Sequence, residues 1–464
     1  MPQKTTDPLA AFTTRLQSDP VWMAEQLFGA TLWSKQREIL RSVWDNPRTG
    51  VKSCHGSGKT YVAAIGVLCF LHAFSDSIVI TTAPTWEQVR RLLWKEIGRA
   101  HADAIRRGVA LGSRCHTTDC EVDSAWFALG LSTNDPDRFV GHHAPYILVV
   151  VDEGFGVEDW VYEVAETYMT ASGNAGTMAR LLALGNPTDR ASRLGRAFHS
   201  EREAWNLISI SAFDTPNLSG EQVPASVARM LPSREWVEDK RRVWGEDSAI
   251  YQVRVLGEFA SAGGVIPLAV IEQAQARTLA PAPGSPVVLG VDVARSTDGD
   301  ETVIASRSDK RIRIERALRT NDAMEVCGTT VQIASGYRAL GLEVRIVVDA
   351  DGLGGPVADR LREMGYAVSD YRASAAAFDP DRYANRRAET WYTGGEVLRE
   401  CDLDADDMLA ADLAGPKSGK MTSRGQLTVE PKDMTRKRIG RSPDRADAVL
   451  MTLAPEPPSY VYAV

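Results

Sequence analysis

The chain has 464 residues and a mass of 50.7 kDa, enough for two or three domains. Hydrophobic residues at 44% and charged residues at 25% are ordinary globular values, which excludes wholesale disorder. Lys and Arg number 53 against 61 Asp and Glu, a net charge of −8, which excludes a histone-like coat of uniform positive charge but not a local basic patch.

The first residues, MPQKTTDPLAAF, carry no basic-then-apolar signal pattern. The longest apolar run, Val62 to Leu71, is half the length needed to span a bilayer. A soluble protein of the cytoplasm is expected. Six scattered cysteines (Cys54, Cys69, Cys115, Cys120, Cys327, Cys401) are too sparse for a disulfide scaffold and suit a reducing compartment. Cys115 and Cys120 flank His116, but no second ligand pair accompanies them, which argues against a zinc site.

Apolar positions recur at helical spacing in DPVWMAEQLFGATL and SKQREILRSVWDN, so residues 1–50 are expected to form amphipathic helices. From 51 to about 190 short apolar runs alternate with helical stretches. Those at 79–82, 125–131, 146–151 and 181–184 are expected as buried strands, and WEQVRRLLWKEIGRAHADAIRR as helix. Strands alternating with helices predict a mostly parallel α/β sheet. A helical stretch near 224–256 follows. The segment LAPAPGSP, with Pro281, Pro283 and Pro286, predicts an extended linker. Beyond it VVLGVDVA, TVIASRS, RIRIERAL and EVRIVVDADG open a second strand-rich unit. The division expected is a domain over 1–260 (helical over 1–45, a core over 46–210, a helical subdomain over 211–260), a linker over 261–286 and a second domain over 287–464.

Two constellations carry chemistry. Ser53-Cys54-His55-Gly56-Ser57-Gly58-Lys59-Thr60 runs directly into an apolar helix and has the pattern of a phosphate loop. Gly56, Ser57 and Gly58 would turn backbone N–H groups onto phosphate oxygens, Lys59 would reach the β- and γ-phosphates, and Thr60 would take Mg²⁺. Ser53 stands where the general pattern has glycine. An apolar strand ending in Asp152-Glu153 follows 93 residues after Lys59. Asp152 suits the Mg²⁺ shell, and Glu153 is placed to orient an attacking water. Hydrolysis of ATP is therefore expected. Gln36 is a candidate for reading the adenine edge, and Asn186 in GNPT for sensing the γ-phosphate. Arg138 is the favoured arginine finger, with Arg90 and Arg91 as alternatives.

In the second unit Asp292 and Asp349 each end an apolar strand, and Asp444 and Asp447 share a helix face at i, i+3 spacing. Carboxylates converging from separate elements make a hard oxygen site for two ions of Mg²⁺ or Mn²⁺, suited to phosphodiester cleavage. Together they read as a ribonuclease-H-like nuclease centre. Asp298, Asp300 and Asp351 compete for the same role. Residues 415–445 hold nine Lys/Arg against three Asp/Glu, a local +6 beside the last carboxylates, which suits guiding a phosphate backbone.

With both halves read, the chain resembles the large terminase subunit of tailed bacteriophages. The resemblance rests on the order LWSKQREIL, SCHGSGKT, TTAPTWEQV, ILVVVDEG, LGNPT, YQVRVLGEF, GVDVAR, VVDADGLGG and SPDRADA. It implies an N-terminal P-loop ATPase that drives double-stranded DNA into a procapsid, and a C-terminal ribonuclease-H-like endonuclease that cuts concatemeric DNA when packaging starts and ends. By position Lys59, Thr60, Asp152, Glu153 and Asn186 match the family's ATPase motifs. Asp292, Asp349 and Asp447 match its nuclease carboxylates, with Asp444 as a further ligand. The resemblance also implies a small terminase subunit, docking on a portal protein, a homo-oligomeric ring (a pentamer) when packaging, and action in the host cytoplasm rather than in the mature virion. The rival reading is an ATP-driven translocase or helicase whose second domain keeps the fold but does not cut.

Overall fold

A computed structural model describes residues 8–133, 135–170, 172–260, 264–294, 300–351 and 353–455. The chain divides into two compact units, Met1–Asp239 with Gln252–Phe259, and Lys240–Tyr251 with Ala260–Val464.

The first unit is built on strands β1 (Arg48–Ser53), β2 (Ser77–Thr82), β3 (Arg114–Cys115), β4 (Asp119–Asp123), β5 (Trp126–Gly130), β6 (Tyr146–Asp152), β7 (Met178–Gly185) and β8 (Asn206–Ile210). Their order in the sheet is β3-β4-β5-β2-β6-β7-β1-β8. From β5 to β8 every neighbouring pair is parallel; only the β3–β4–β5 edge is antiparallel. The apolar run at Val62–Leu71 belongs to helix Lys59–Ala73, which is buried nearly all round. An all-apolar helix of that length is a core helix, and no described helix is long and apolar enough to cross a membrane. The N-terminal region forms three helices, Pro8–Ser18, Pro20–Gln26 and Ser34–Asp45.

Cys115 and Cys120 form a disulfide, contrary to the expectation of dispersed thiols. The reason is the β3–β4 hairpin, invisible as two short strands in the sequence, which sets the two residues directly opposite each other. Cys54, Cys69, Cys327 and Cys401 are buried free thiols.

The second unit holds β9 (Val287–Asp292), β10 (Thr302–Ser308), β11 (Arg311–Leu318), β12 (Val344–Asp349), β13 (Ala367–Tyr371) and β14 (Asp402–Leu403), ordered β13-β12-β9-β10-β11-β14. β10 is antiparallel to both neighbours, while β12 runs parallel to both β9 and β13. Val287, Leu289, Val291, Ile346 and Val348 lie in the core that includes Val326, Val357 and Leu361 of helices Ala323–Ala339 and Gly354–Glu363. Helix Asp444–Met451 lies directly on β9, because Gly290 leaves room: a Cβ there would stand 2.1 Å from the Ala448 carbonyl oxygen. The expected linker over 261–286 contains a packed element, helix Leu268–Ala276, whose Leu268, Val270, Ile271 and Ala274 are buried. Its proline-rich end lacks helix and strand.

Candidate active sites

The phosphate loop leaves β1 and enters helix Lys59–Ala73 through Gly58, whose φ of 78° is left-handed, as is that of Gly56 at 70°. Glycine reaches that region without steric cost and lets consecutive N–H groups face one point. The loop is braced from behind: Trp33 Nε1 donates to the Ser57 carbonyl (3.3 Å), and Gln36 Nε2 to that of Gly58 (3.1 Å). Gln36 also lines the adjoining cavity of about 540 Å³ with Lys59, Thr60, Arg91, Arg99 and Leu231. Ser53 is buried, with its hydroxyl 3.2 Å from that of Ser57, so serine fits where the general pattern has glycine.

The sheet order decides what faces this loop. β7 stands between β1 and β6, so Asn186 just past its end comes between Lys59 and the Asp152-Glu153 pair. Lys59 Nζ pairs with Glu153 (3.1 Å) and donates to Asn186 Oδ1 (3.1 Å). Asn186 Nδ2 donates to the Ser53 carbonyl (2.6 Å), and its backbone N–H to Glu153 Oε2 (3.4 Å). Thr60 Oγ1 donates to Asp152 Oδ2 (3.1 Å), and the Glu153 N–H to Asp152 Oδ1 (3.1 Å). Glu153 has φ 50°, ψ 42°. A non-glycine residue there stores about 1–3 kcal/mol and persists only where its surroundings enforce it. Gly185 leaves room for this turn, since a Cβ there would stand 3.2 Å from Glu153 Cα. Burial, reinforced by the Glu153 charge, pushes the Asp152 carboxyl up to about 7. Burial alone would lower Lys59, but the charges of Glu153 and Asp152 outweigh it and raise its pKa.

Arg138 does not join this cluster. It is exposed, in the turn Pro136–Phe139, and lines a separate cavity with Arg114, His116 and Glu121 of the β3–β4 hairpin. The physical reason is topological: β5, which precedes it, is separated from β1 by β2, β6 and β7. Both alternatives, Arg90 and Arg91, pair with Glu87, and of the two Arg91 lines the phosphate-loop cavity.

In the second unit Asp292 and Asp349 end β9 and β12, and Asp444 and Asp447 open the helix lying on β9. Lys432, at the start of helix Lys432–Ile439, inserts among them. Its Nζ is 2.8 Å from Asp447, 3.3 Å from Asp444 and 3.7 Å from Asp292. In linear sequence Lys432 is only one charge in a basic run. Burial raises Asp292 well above the carboxylate range and Asp349 up to about 6, and also raises Asp444; Lys432 opposes each shift. The Asp351 N–H donates to Asp349 Oδ1 (3.1 Å), and the Glu301 N–H to Asp444 Oδ2 (2.9 Å), so both carboxylates are oriented from the backbone. Asp300 pairs instead with Arg436 (3.3 Å). Asp298 lies outside the described residues.

The basic segment is less free than its composition suggests. Lys432, Arg436, Arg438, Arg441 and Arg445 are all in ion pairs with carboxylates, leaving Lys420, Arg424 and Lys437 among its exposed cations.

No family model matches the chain. The probable terminase large subunit of Enterobacteria phage P7 is 26% identical over 458 residues, covering 92% of this chain and 89% of that protein. This chain resembles a phage large terminase subunit over nearly its whole length. Among solved structures, the large terminase of a thermophilic bacteriophage in complex with ADP is 14% identical, with a TM-score of 0.43 over 90% of this chain and 98% of that one. The HK97 bacteriophage large terminase is 12% identical, with a TM-score of 0.39 over 94% and 98%. The nuclease domain of the Sf6 large terminase subunit is 19% identical, with a TM-score of 0.35 over 42% and 100%.

Proposed function

We propose that this chain is the large terminase-like subunit of a viral DNA-packaging motor, hydrolysing ATP to move double-stranded DNA and cutting that DNA with a metal-dependent endonuclease. The observation that carries it is the presence in one chain of the Lys59–Glu153–Asn186 cluster and the Asp292–Asp349–Asp444–Asp447 centre.

Lys59 and Glu153 form an ion pair. Phosphate oxygens compete for the same ammonium, so binding releases Glu153 to accept the proton of the attacking water. Asn186 touches Lys59, Glu153 and the Ser53 carbonyl, which makes it the group that passes the state of the γ-phosphate to the strand ends. Thr60 and Asp152 would share the shell of the Mg²⁺ that accompanies ATP. Because Arg138 lies away from its own phosphate loop, we assign it as a finger offered to a neighbouring copy in a pentameric ring.

In the nuclease centre the donor set fits hard cations: four carboxylates, and a buried Asp292 Oδ2 that has no hydrogen-bond partner. Two divalent ions, Mg²⁺ or Mn²⁺, would supply an activated water and charge stabilisation at the leaving oxygen. Asp292, Asp349, Asp444 and Asp447 would hold them, and Lys432 would yield its place among the carboxylates and turn to the scissile phosphate. A non-cleaving second domain would have no need of this set. A small terminase subunit and a portal protein on the procapsid are the further partners proposed, and the host cytoplasm the place of action.

Plasmid cleavage by the full chain with Mg²⁺ or Mn²⁺, beside Asp349→Ala and without ATP, tests the reading. Cleavage by the parent and none by the variant is expected. Equal cleavage by both would remove the nuclease from these carboxylates.

A further inference from the structure

The β3–β4 hairpin sits at the edge of the first sheet, away from the phosphate loop, and brings together groups that neither proposed activity uses. Cys115 and Cys120 face each other across the hairpin. His101, on helix Trp94–Arg106, presents an imidazole to them, and the ligand-capable atoms of all three lie within 4.8 Å of one another. His101 and Cys120 are buried and Cys115 is half-buried. The Ser113 hydroxyl meets Nε2 of His101 (2.8 Å) and Nε2 of His72 (2.9 Å), which fixes both rings.

We propose that His101, Cys115 and Cys120 form a zinc-binding site when the cysteine pair is reduced. Two thiolates and an imidazole are the donors that a borderline-soft, tetrahedral ion selects, with the fourth position left for water. The charges balance, two thiolates against Zn²⁺ with a neutral histidine. Ser113 is the outer-shell group that holds a ligating histidine in place.

The disulfide and the zinc site are alternative states of the same residues. A dithiol reductant gives two electrons and two protons to the Cys115–Cys120 bond and itself becomes a disulfide. Zn²⁺ then replaces the two thiol protons, which leave to solvent. Helix Trp94–Arg106 also supplies Lys95, Glu96 and Arg99 to the nucleotide cavity, so the metal state braces a wall of that cavity where the disulfide closes only the hairpin.

The test is a Co²⁺ titration of the reduced full chain, followed by Zn²⁺ competition. Cobalt bound by thiolates gives a sulfur-to-metal charge-transfer band that cobalt on the nuclease carboxylates does not. A single equivalent should develop the band and Zn²⁺ should bleach it. Cys115→Ser should abolish it, and His101→Gln, which keeps both thiols, should weaken cobalt binding at least the roughly tenfold that loss of a supporting group costs. Absence of the band in the reduced parent overturns the proposal. So does an unchanged band in Cys115→Ser, which would assign it to Cys54, Cys69, Cys327 or Cys401. If Cys115→Ser does not fold, unchanged affinity in His101→Gln is equally decisive against it.

Discussion

The two acidic centres of this chain are built on opposite electrostatic plans. In the first, Asp152 and Glu153 are satisfied by the protein itself: Thr60, a backbone N–H, Lys59 and Asn186 occupy their oxygens. In the second, three of four aspartates crowd a single lysine, and one buried oxygen of Asp292 has no hydrogen-bond partner. On the proposed reading the first centre would receive an anion that brings its own cation, and would rearrange as that anion takes Lys59. The second has more carboxylates than cations and would hold metal ions directly. A nucleotide site and a metal-ion nuclease site would then differ in which groups are left wanting partners.

Separating the two chemistries gives the largest effect. Glu153→Ala should reduce ATP hydrolysis by about 10²–10⁴-fold, the worth of a positioned base, while plasmid cleavage continues at the parental rate. Phosphate release and plasmid nicking in parallel would check this, and a joint loss in folded protein would mean that the plans are not independent.

Acidity should then weaken both activities. Asp152, raised to about 7, must lose a proton before it can join the Mg²⁺ shell, so nucleotide-dependent activity should decline as pH falls through 7. In the second centre burial raises Asp349 to about 6 and Asp292 well above the carboxylate range, so cleavage should also decline with acidity, and no later than pH 6. Below each value the apparent metal affinity should drop by about tenfold per pH unit, and added metal should restore activity. Activities unchanged as pH falls through 7 and 6 would contradict the burial of Asp152 and Asp349.

A smaller effect tests what positions the second centre. Gly290→Ala drives a Cβ into the Ala448 carbonyl and should lift helix Asp444–Met451 from β9, at a cost of about 1–3 kcal/mol. Denaturant unfolding would read the destabilisation, and Mn²⁺ titration of cleavage the loosened pair Asp444 and Asp447. The smallest effect belongs to the exposed cations. Lys420→Ala and Arg424→Ala should each reduce the slope of log K against log salt for DNA binding by about 1 if each meets a phosphate.

Much of this was legible in linear order. GSGKT, the apolar strand into Asp152-Glu153, and the strand-terminal Asp292 and Asp349 announce themselves because a phosphate loop and a strand end are local events, set by glycine, a helix N-terminus and an apolar run. The mostly parallel first sheet also follows from local alternation of strands and helices. Sequence by itself therefore determined both fold classes and most candidate groups.

What only the tertiary structure decided is every relation across distance. The insertion of β7 between β1 and β6 places Asn186 against Lys59, whereas the strands separating β5 from β1 leave Arg138 elsewhere. Lys432 was one positive charge among nine until the helix it begins was brought to Asp292, Asp444 and Asp447. Cys115 and Cys120 were scattered residues until a hairpin opposed them and a helix supplied His101. The physical reason is common to all of them. Charge and hydrogen-bond energies depend on separations of a few ångströms and on burial, and neither is a property of position along the chain.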